Sequence, residues 1–425
     1  MLKKMFFGLS NPQIEYELLP VSLPKPEKVL ASKSVTLFHK SNGNQKTPSL
    51  FKTGDKVKTG QKISLFADNL DYVIASATGI ISSISPYAGD FGKTYSAITI
   101  DIDSQEIVDD QFENQKPDLE KTIDYLAAVP GNPPLQTLSS DEFDINTIVI
   151  LGIDSDLLIG TNQYVVNTYL DDIKDGIGIL KEITGINRII LVTAGESIQG
   201  IGHIGAQVKN VGTEYPSALP HMIMKNVLGE VVPAGKKAED LGVCFFSAEA
   251  VASIGKAFSS GQIPVHKIVT LITKDGRQQI IETIIGTPIR DLLETYGVSI
   301  EEEDRIIFGG PMTGSAVYSL DHPVLPDTNA ILILDRSKAA YASEYPCINC
   351  GECVRVCPAT MQVHMLVRFL EAGQYEEAAD NYDLWSCIEC GLCSFVCVSR
   401  IPIFQYIKLA KYELDRAKTV EEPNA

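Results

Sequence analysis

Eight of the chain's nine cysteines fall within its last eighty residues, in two runs that follow one pattern. The first is Cys347-Ile-Asn-Cys350-Gly-Glu-Cys353-Val-Arg-Val-Cys357-Pro358, and the second is Cys387-Ile-Glu-Cys390-Gly-Leu-Cys393-Ser-Phe-Val-Cys397. This spacing restricts the fold more than any other feature. Three thiolates two residues apart wrap one corner of an iron–sulfur cube, while the fourth lies beyond a turn and faces a second cube. The expectation is therefore two [4Fe–4S] clusters with crossed ligation. Cys347, Cys350, Cys353 and Cys397 hold the first, and Cys387, Cys390, Cys393 and Cys357 hold the second. A zinc site built from four cysteines needs only two pairs with a longer spacer, a requirement these runs exceed. Gly351 and Gly391 leave room for the backbone to approach inorganic sulfide. Val398 replaces the proline that follows the fourth cysteine in the first run; Pro402 lies five residues beyond Cys397.

Between the runs, Val363 to Glu371 and Tyr375 to Asn381 predict two short helices that fix the halves of the lobe. Cysteines crowded at one end of a long chain do not describe a secreted disulfide scaffold. The ninth, Cys244, sits inside the apolar segment Val243 to Phe246 and reads as a small buried hydrophobe.

The rest of the 425 residues divides by composition and periodicity. Residues 1–110 carry short β-branched runs at Ser34 to His39, Lys62 to Phe66, Tyr72 to Ala75 and Ile80 to Ile84, separated by Gly, Asp and Asn turns. Gly54 to Ile63 and Ala75 to Ile81 resemble the two halves of a biotinyl/lipoyl-type barrel-sandwich hammerhead. No lysine occupies the turn between them, so no swinging-arm attachment is expected. Residues 120–262 read as a three-layer α/β domain. Its strands are Ile145 to Ile153, Arg188 to Val192, Ala206 to Val211 and Val243 to Phe246. Its helices are Gln163 to Ile183, Pro220 to Leu228 and Ser247 to Phe258. Residues 263–335 begin strand, turn, strand, helix: His266 to Ile272, Gln278 to Ile285 and Ile289 to Tyr296, the opening order of a β-grasp module. A strand at Arg305 then enters the glycine-rich turn Gly309-Gly-Pro-Met-Thr-Gly314. Residues 340–420 form an α-helical two-cluster ferredoxin-like domain. The fold class is thus multidomain α/β.

Charge narrows function. The 36 Lys+Arg against 54 Asp+Glu give a formal −18, which does not suit binding to nucleic acid by bulk electrostatics. No window of eighteen apolar residues appears, so no membrane span is expected. Met1 to Gly8 is too short for a signal-peptide core, and a cytoplasmic location is expected. Nucleophile elbow, Walker A and HExxH patterns do not occur.

Taken in order, these features resemble the C subunit of the Rnf electron transport complex. The resemblance runs essentially end to end and is strongest at Gly309 to Gly314, the cysteine runs, and Ile401 to Lys411. It implies a peripheral subunit on the cytoplasmic face of the inner membrane, partnered by the other subunits of that complex. In the family this subunit oxidises NADH through FMN and passes electrons through its clusters. The family's glycine-rich segment that cradles FMN stands here as Leu126-Ala-Ala-Val-Pro130-Gly131-Asn-Pro133-Pro134, with one glycine and three prolines that lack a donor. The next family signature, an acidic segment after the first strand, appears as Leu151 to Leu157, in which Asp154 and Asp156 persist. Asp154, Asp156, Gly309 and Gly310 are the candidate cofactor-binding residues. The leading expectation is electron transfer without bound FMN. The alternative is an FMN-dependent NADH dehydrogenase subunit with an altered pocket. Residues around Lys408 and Lys411, or the cluster lobe, are expected to lie next to another subunit.

Overall fold

The computed structural model describes residues 12–20, 25–31, 33–40, 49–66, 71–89, 93–195, 201–339, 341–343 and 345–421. The amino-terminal segment, the turn between the two barrel halves and Gly200 of the Gly200-Ile-Gly-His-Ile-Gly205 run lie outside the described residues.

Strands Ser34–Lys40, Thr94–Ile102, Gly79–Ala88 and Lys56–Val57 form an antiparallel sheet in that spatial order, beside the two-stranded ribbon of Lys62–Ile63 and Val73–Ile74. Alternation along Ser34–Lys40 turns Val35 and Leu37 inward, where they meet Ile63, Leu65, Ile81, Ile98 and Ile100. Gly79 is required by close approach, since a Cβ there would stand 2.0 Å from the Asp101 carbonyl oxygen.

Two segments assigned from sequence to residues 1–110 make their contacts elsewhere. Tyr16 is buried in the second core of the α/β unit. Glu27–Lys28 adds a parallel edge strand to Gln278–Ile284, with Glu27 opposite Ile281. The Glu27–Ile281 pairing spans more than two hundred residues, and neither segment carries a local periodicity that announces its partner.

Four parallel strands follow, in the order Gln207–Asn210, Arg188–Thr193, Thr147–Leu151, Val243–Ser247. Alternate residues feed two cores. Ile148, Ile150, Leu191, Cys244 and Phe246 pack with the helices Leu170–Thr184 and Ala248–Ser260, while Val149, Ile190, Val192 and Val243 face the opposite side. Burial on both faces explains why these strands read as unbroken apolar runs. The expected helix over Gln163 to Ile183 is two, Thr161–Thr168 and Leu170–Thr184, broken at Tyr169. Gly176 and Gly255, which lower helix propensity, permit close packing: Cβ atoms there would stand 2.1 Å from the Val251 carbonyl oxygen and 2.0 Å from that of Asp172. The acidic stretch after residue 101 is anchored by Phe112, whose ring packs against Phe258 and Tyr125.

The third sheet is mixed, with strand order Glu27–Lys28, Gln278–Ile284, His266–Ile272, Ala330–Leu334, Arg305–Phe308, Ser315–Val317. Ala330–Leu334, unassigned from sequence, is central and pairs parallel with His266–Ile272 and antiparallel with Arg305–Phe308. A buried ion pair joins this sheet to the α/β unit. Lys267 Nζ meets the Glu249 carboxylate, which also accepts from the Ile268 amide at 2.8 Å.

The remaining unit is helical. Val363–Glu371 and Tyr375–Asn381 form where the sequence predicts them, and Ile403–Glu421 closes the described chain. No helix of the described residues is long and apolar enough to cross a membrane.

Candidate iron–sulfur site

The two cysteine runs adopt one backbone shape twice. Gly351 and Gly391 take left-handed conformations (φ +77° and +72°) and start the short helices Glu352–Arg355 and Leu392–Phe395. Asn349 and Glu389 are left-handed at +61° and +57°, and Thr360 and Arg400 at +55°. Each landmark recurs forty positions later. Non-glycine residues rarely occupy this region, so its repetition marks a loop shape imposed twice.

Cys347, Cys350, Cys353 and Cys397 line one small cavity together with Ile348, His364 and Val398. Burial pushes the Cys353 thiol up to about 11, and Cys350, Cys347 and Cys397 push in the same direction. In the other half, Cys390 is pushed up to about 12, by burial first, with Cys387 and Cys357 adding to it. Cys357 acts likewise on Cys387. The fourth cysteine of each run thus stands with the triplet of the other. None of the nine cysteines is paired in a disulfide. Crowded, buried thiols ionise only when a cationic centre compensates them, and cluster iron is such a centre. Among the described residues no three His, Cys, Asp or Glu side chains are placed to share one metal ion. A cubane assigns each thiolate its own iron, so its ligands stand wider apart than ligands on one ion. Backbone amides also address the sulfurs: Glu389 N–H donates to Cys387 Sγ and Ile401 N–H to Cys397 Sγ, both at 3.4 Å.

The halves differ in burial. On the first, Cys350 is exposed and Ile348 and Val398 stand 65% and 59% exposed. On the second, Cys390 and Leu392 enter the second core of the α/β unit, and Tyr215 Oη donates to the Cys390 carbonyl at 2.6 Å.

Three of the four candidate cofactor residues converge behind Cys390. Asp156, 3% exposed, accepts hydrogen bonds from the amides of Leu157 (2.7 Å), Met312 (3.2 Å) and Thr313 (2.7 Å) and from Thr313 Oγ1 (2.7 Å). Gly310 has no room for a side chain, because a Cβ would stand 2.5 Å from Asp156 Cγ. Gly391 meets the same loop, its Cβ position 2.5 Å from the Met312 carbonyl oxygen. The Gly309–Gly314 turn is therefore a seat that links Asp156 to the second cysteine run. Asp156, Gly309 and Gly310 also border a cavity of about 370 Å³ walled by Phe38, Tyr87 and His322. Asp154 turns inward instead, accepting from Asn162 N at 3.0 Å and Asn162 Nδ2 at 3.0 Å. Burial raises its carboxyl to about 6.

Leu126 to Pro134 packs onto the start of helix Ala248–Ser260. Ser247 Oγ donates to the Gly131 carbonyl at 3.2 Å, Ser253 Oγ donates to that of Pro130 at 2.9 Å, and a Cβ on Gly131 would stand 2.2 Å from Ala250 N. The first amides of that helix are satisfied internally, Ala248 N–H by Asn162 Oδ1 and Ala250 N–H by Ser247 Oγ.

Residues 339–398 match the family described as a 4Fe-4S dicluster domain, and residues 25–105 match the RnfC barrel sandwich hybrid domain. Curated relatives align along most of the chain. The C subunit of the ion-translocating oxidoreductase complex of Pasteurella multocida is 28% identical over 88% of this chain and 48% of its own length. That of Edwardsiella ictaluri is 29% identical over 88% and 50%. The chain resembles the C subunit of the ion-translocating oxidoreductase complexes. It spans about half the length of the curated relatives it matches. A crystal structure of an NAD+-reducing [NiFe]-hydrogenase aligns at TM-score 0.44 and 12% identity, covering 69% of this chain and 63% of that one, a likeness too slight to bear on function. The dicluster match encloses all eight of the clustered cysteines.

Sequence reasoning missed two contributors to the site. Tyr215 and Lys411 are distant from the cysteines in sequence or carry no motif, yet each bonds a carbonyl of the second run. The Lys411 side chain is 16% exposed and turns toward the second run.

Proposed function

We propose that this chain carries electrons through two [4Fe–4S] clusters, as a peripheral subunit on the cytoplasmic face of a membrane-associated ion-translocating electron transport complex. Its partners are the other subunits of that complex. The observation that carries the reading is the crossed grouping of thiols, with Cys397 beside Cys347, Cys350 and Cys353, and Cys357 beside Cys387 and Cys390. Bound there, such clusters supply one-electron transfer. The protein's own part is to fix thiolate positions through the repeated left-handed loops, to direct amides at sulfur, and to brace the second run from behind. Tyr215, Met312 and Asp156 do the bracing.

We assign the finer architecture as four units: a barrel-sandwich hammerhead, a three-layer α/β unit near 120–262, a β-grasp module near 263–335 and a ferredoxin-type helical unit near 340–420. The mixed sheet, with a helix crossing between Gln278–Ile284 and Arg305–Phe308, supports the β-grasp assignment.

The reading includes no FMN. Flavin phosphates need several free convergent amides. Leu126 to Pro134 offers few, and the neighbouring helix start is satisfied by Ser247 and Asn162. Anaerobic purification with iron, sulfide and flavin analysis tests the whole reading. The expected result is about eight iron and eight sulfide per chain without stoichiometric flavin. One FMN per chain, with cluster reduction on adding NADH, would favour the dehydrogenase alternative.

A further inference from the structure

The forty-residue repeat breaks at two charged positions of consequence. Lys411 stands where the first run's repeat has Glu371, and Glu389 stands where it has Asn349. From the helix Ile403–Glu421, Lys411 Nζ donates to the carbonyl of Cys387 at 2.9 Å and to Glu389 Oε1 at 2.8 Å. The two charges are unequally solvated, for the Lys411 side chain is 16% exposed and that of Glu389 is 42%. Water screens the carboxylate more than the ammonium, so the pair leaves a net positive field on the Cys387 side. The nearby His221 adds no second cation, because burial first and Lys411 next hold its pKa below the ordinary value.

Reduction adds negative charge to a cluster, and burial disfavours that added charge. The Cys387 half is the buried one, so by solvation alone its cluster would be the harder to reduce. We propose that Lys411 offsets this burial and holds up the reduction potential of the cluster bound by Cys387, Cys390, Cys393 and Cys357. It is a positioning charge that acts through the Cys387 peptide and touches no reacting atom. The inference rests on the two-cluster reading above.

An EPR-monitored redox titration of the anaerobically purified full chain tests it, with iron content measured in parallel. Lys411→Gln is expected to move the midpoint of one signal to lower potential, leaving the other signal and the iron content unchanged. Glu389→Gln, which keeps an acceptor for Lys411 and removes its counter-charge, should move the same signal to higher potential. Lys411→Arg should restore a midpoint close to wild type. Should Lys411→Gln fail to retain the cluster, the Glu389→Gln and Lys411→Arg titrations still decide the matter. Unchanged midpoints, or shifts of one sign in both Lys411→Gln and Glu389→Gln, would overturn the role of Lys411. A wild-type chain without two cluster signals would overturn the underlying reading instead.

Discussion

Replacing Asp156 by alanine separates a clamp from a ligand contact at the Gly309–Gly314 turn. The carboxylate accepts from three amides and one hydroxyl, two of the amides and the hydroxyl belonging to that turn. A buried donor left without an acceptor costs about 1–3 kcal/mol, and partly buried donors fall at the low end. Against this, burial already holds the Asp156 carboxyl above its ordinary range, so removing the charge returns some desolvation energy. The net local cost is about 3 kcal/mol, which corresponds to roughly a hundredfold faster opening of the turn. Hydrogen exchange read by mass spectrometry on peptides covering residues 308–315 measures it, with the helix Val363–Glu371 as internal control. Asp156→Asn retains one acceptor oxygen and should show about tenfold acceleration. Because the Met312 carbonyl abuts Gly391, chelator-driven bleaching should also accelerate in Asp156→Ala. Exchange within about twofold of wild type would refute the clamp, and the turn would then owe its shape to its own glycines.

Three further outcomes follow from named contacts. Burial raises the Asp154 carboxyl from 3.8 to about 6, so the folded state binds this proton more tightly than the unfolded state. Its stabilising effect is full below the lower value and is lost as pH rises through the upper one, about 3 kcal/mol in all. Urea midpoints across that window should fall less in Asp154→Asn than in wild type, and an equal fall contradicts the assignment. Gly351→Ala and Gly391→Ala both place a side chain at a left-handed φ, but only the second also sets a Cβ 2.5 Å from the Met312 carbonyl oxygen, whereas the first meets nothing within 4 Å. Iron content should therefore drop by about half in Gly391→Ala and by clearly less in Gly351→Ala. Lys267→Met leaves Glu249 buried without its partner and should cost about 3–5 kcal/mol, read as a lowered thermal midpoint; a neutral result would mean water reaches the pair.

The cysteine pattern was legible because metal ligation is written in short spacing, and the parallel strands because burial on both faces makes them continuous apolar runs. Helices Val363–Glu371 and Tyr375–Asn381 were equally plain, each bounded by its own polar turn. What escaped was nonlocal. Glu27–Lys28 gives no local sign that it joins a strand at Ile281, and Ala330–Leu334 is an apolar run whose central place depends on neighbours sixty residues away on one side. Asp154 and Asp156 were legible as paired acids, but not as inward-facing anchors with different partners. Gly309 and Gly310 signalled a tight approach without saying to what. For Gly310 the answer is the Asp156 carboxylate of another unit, and for Gly309 it is the backbone of Gly314 in the same turn. Lys411 resembles any helix-surface lysine until the fold sets it against Cys387.

The central claim is crossed ligation of two clusters, and comparing EPR spectra of the reduced wild-type, Cys357→Ala and Cys397→Ala chains tests it most directly. The wild type should show two interacting cluster signals. Cys357→Ala, though altered in the first run, should damage the cluster of Cys387, Cys390 and Cys393 and abolish the interaction. Cys397→Ala should do the same to the cluster of Cys347, Cys350 and Cys353. If Cys357→Ala instead damages only the cluster of its own run, the ligation is uncrossed and the account is contradicted.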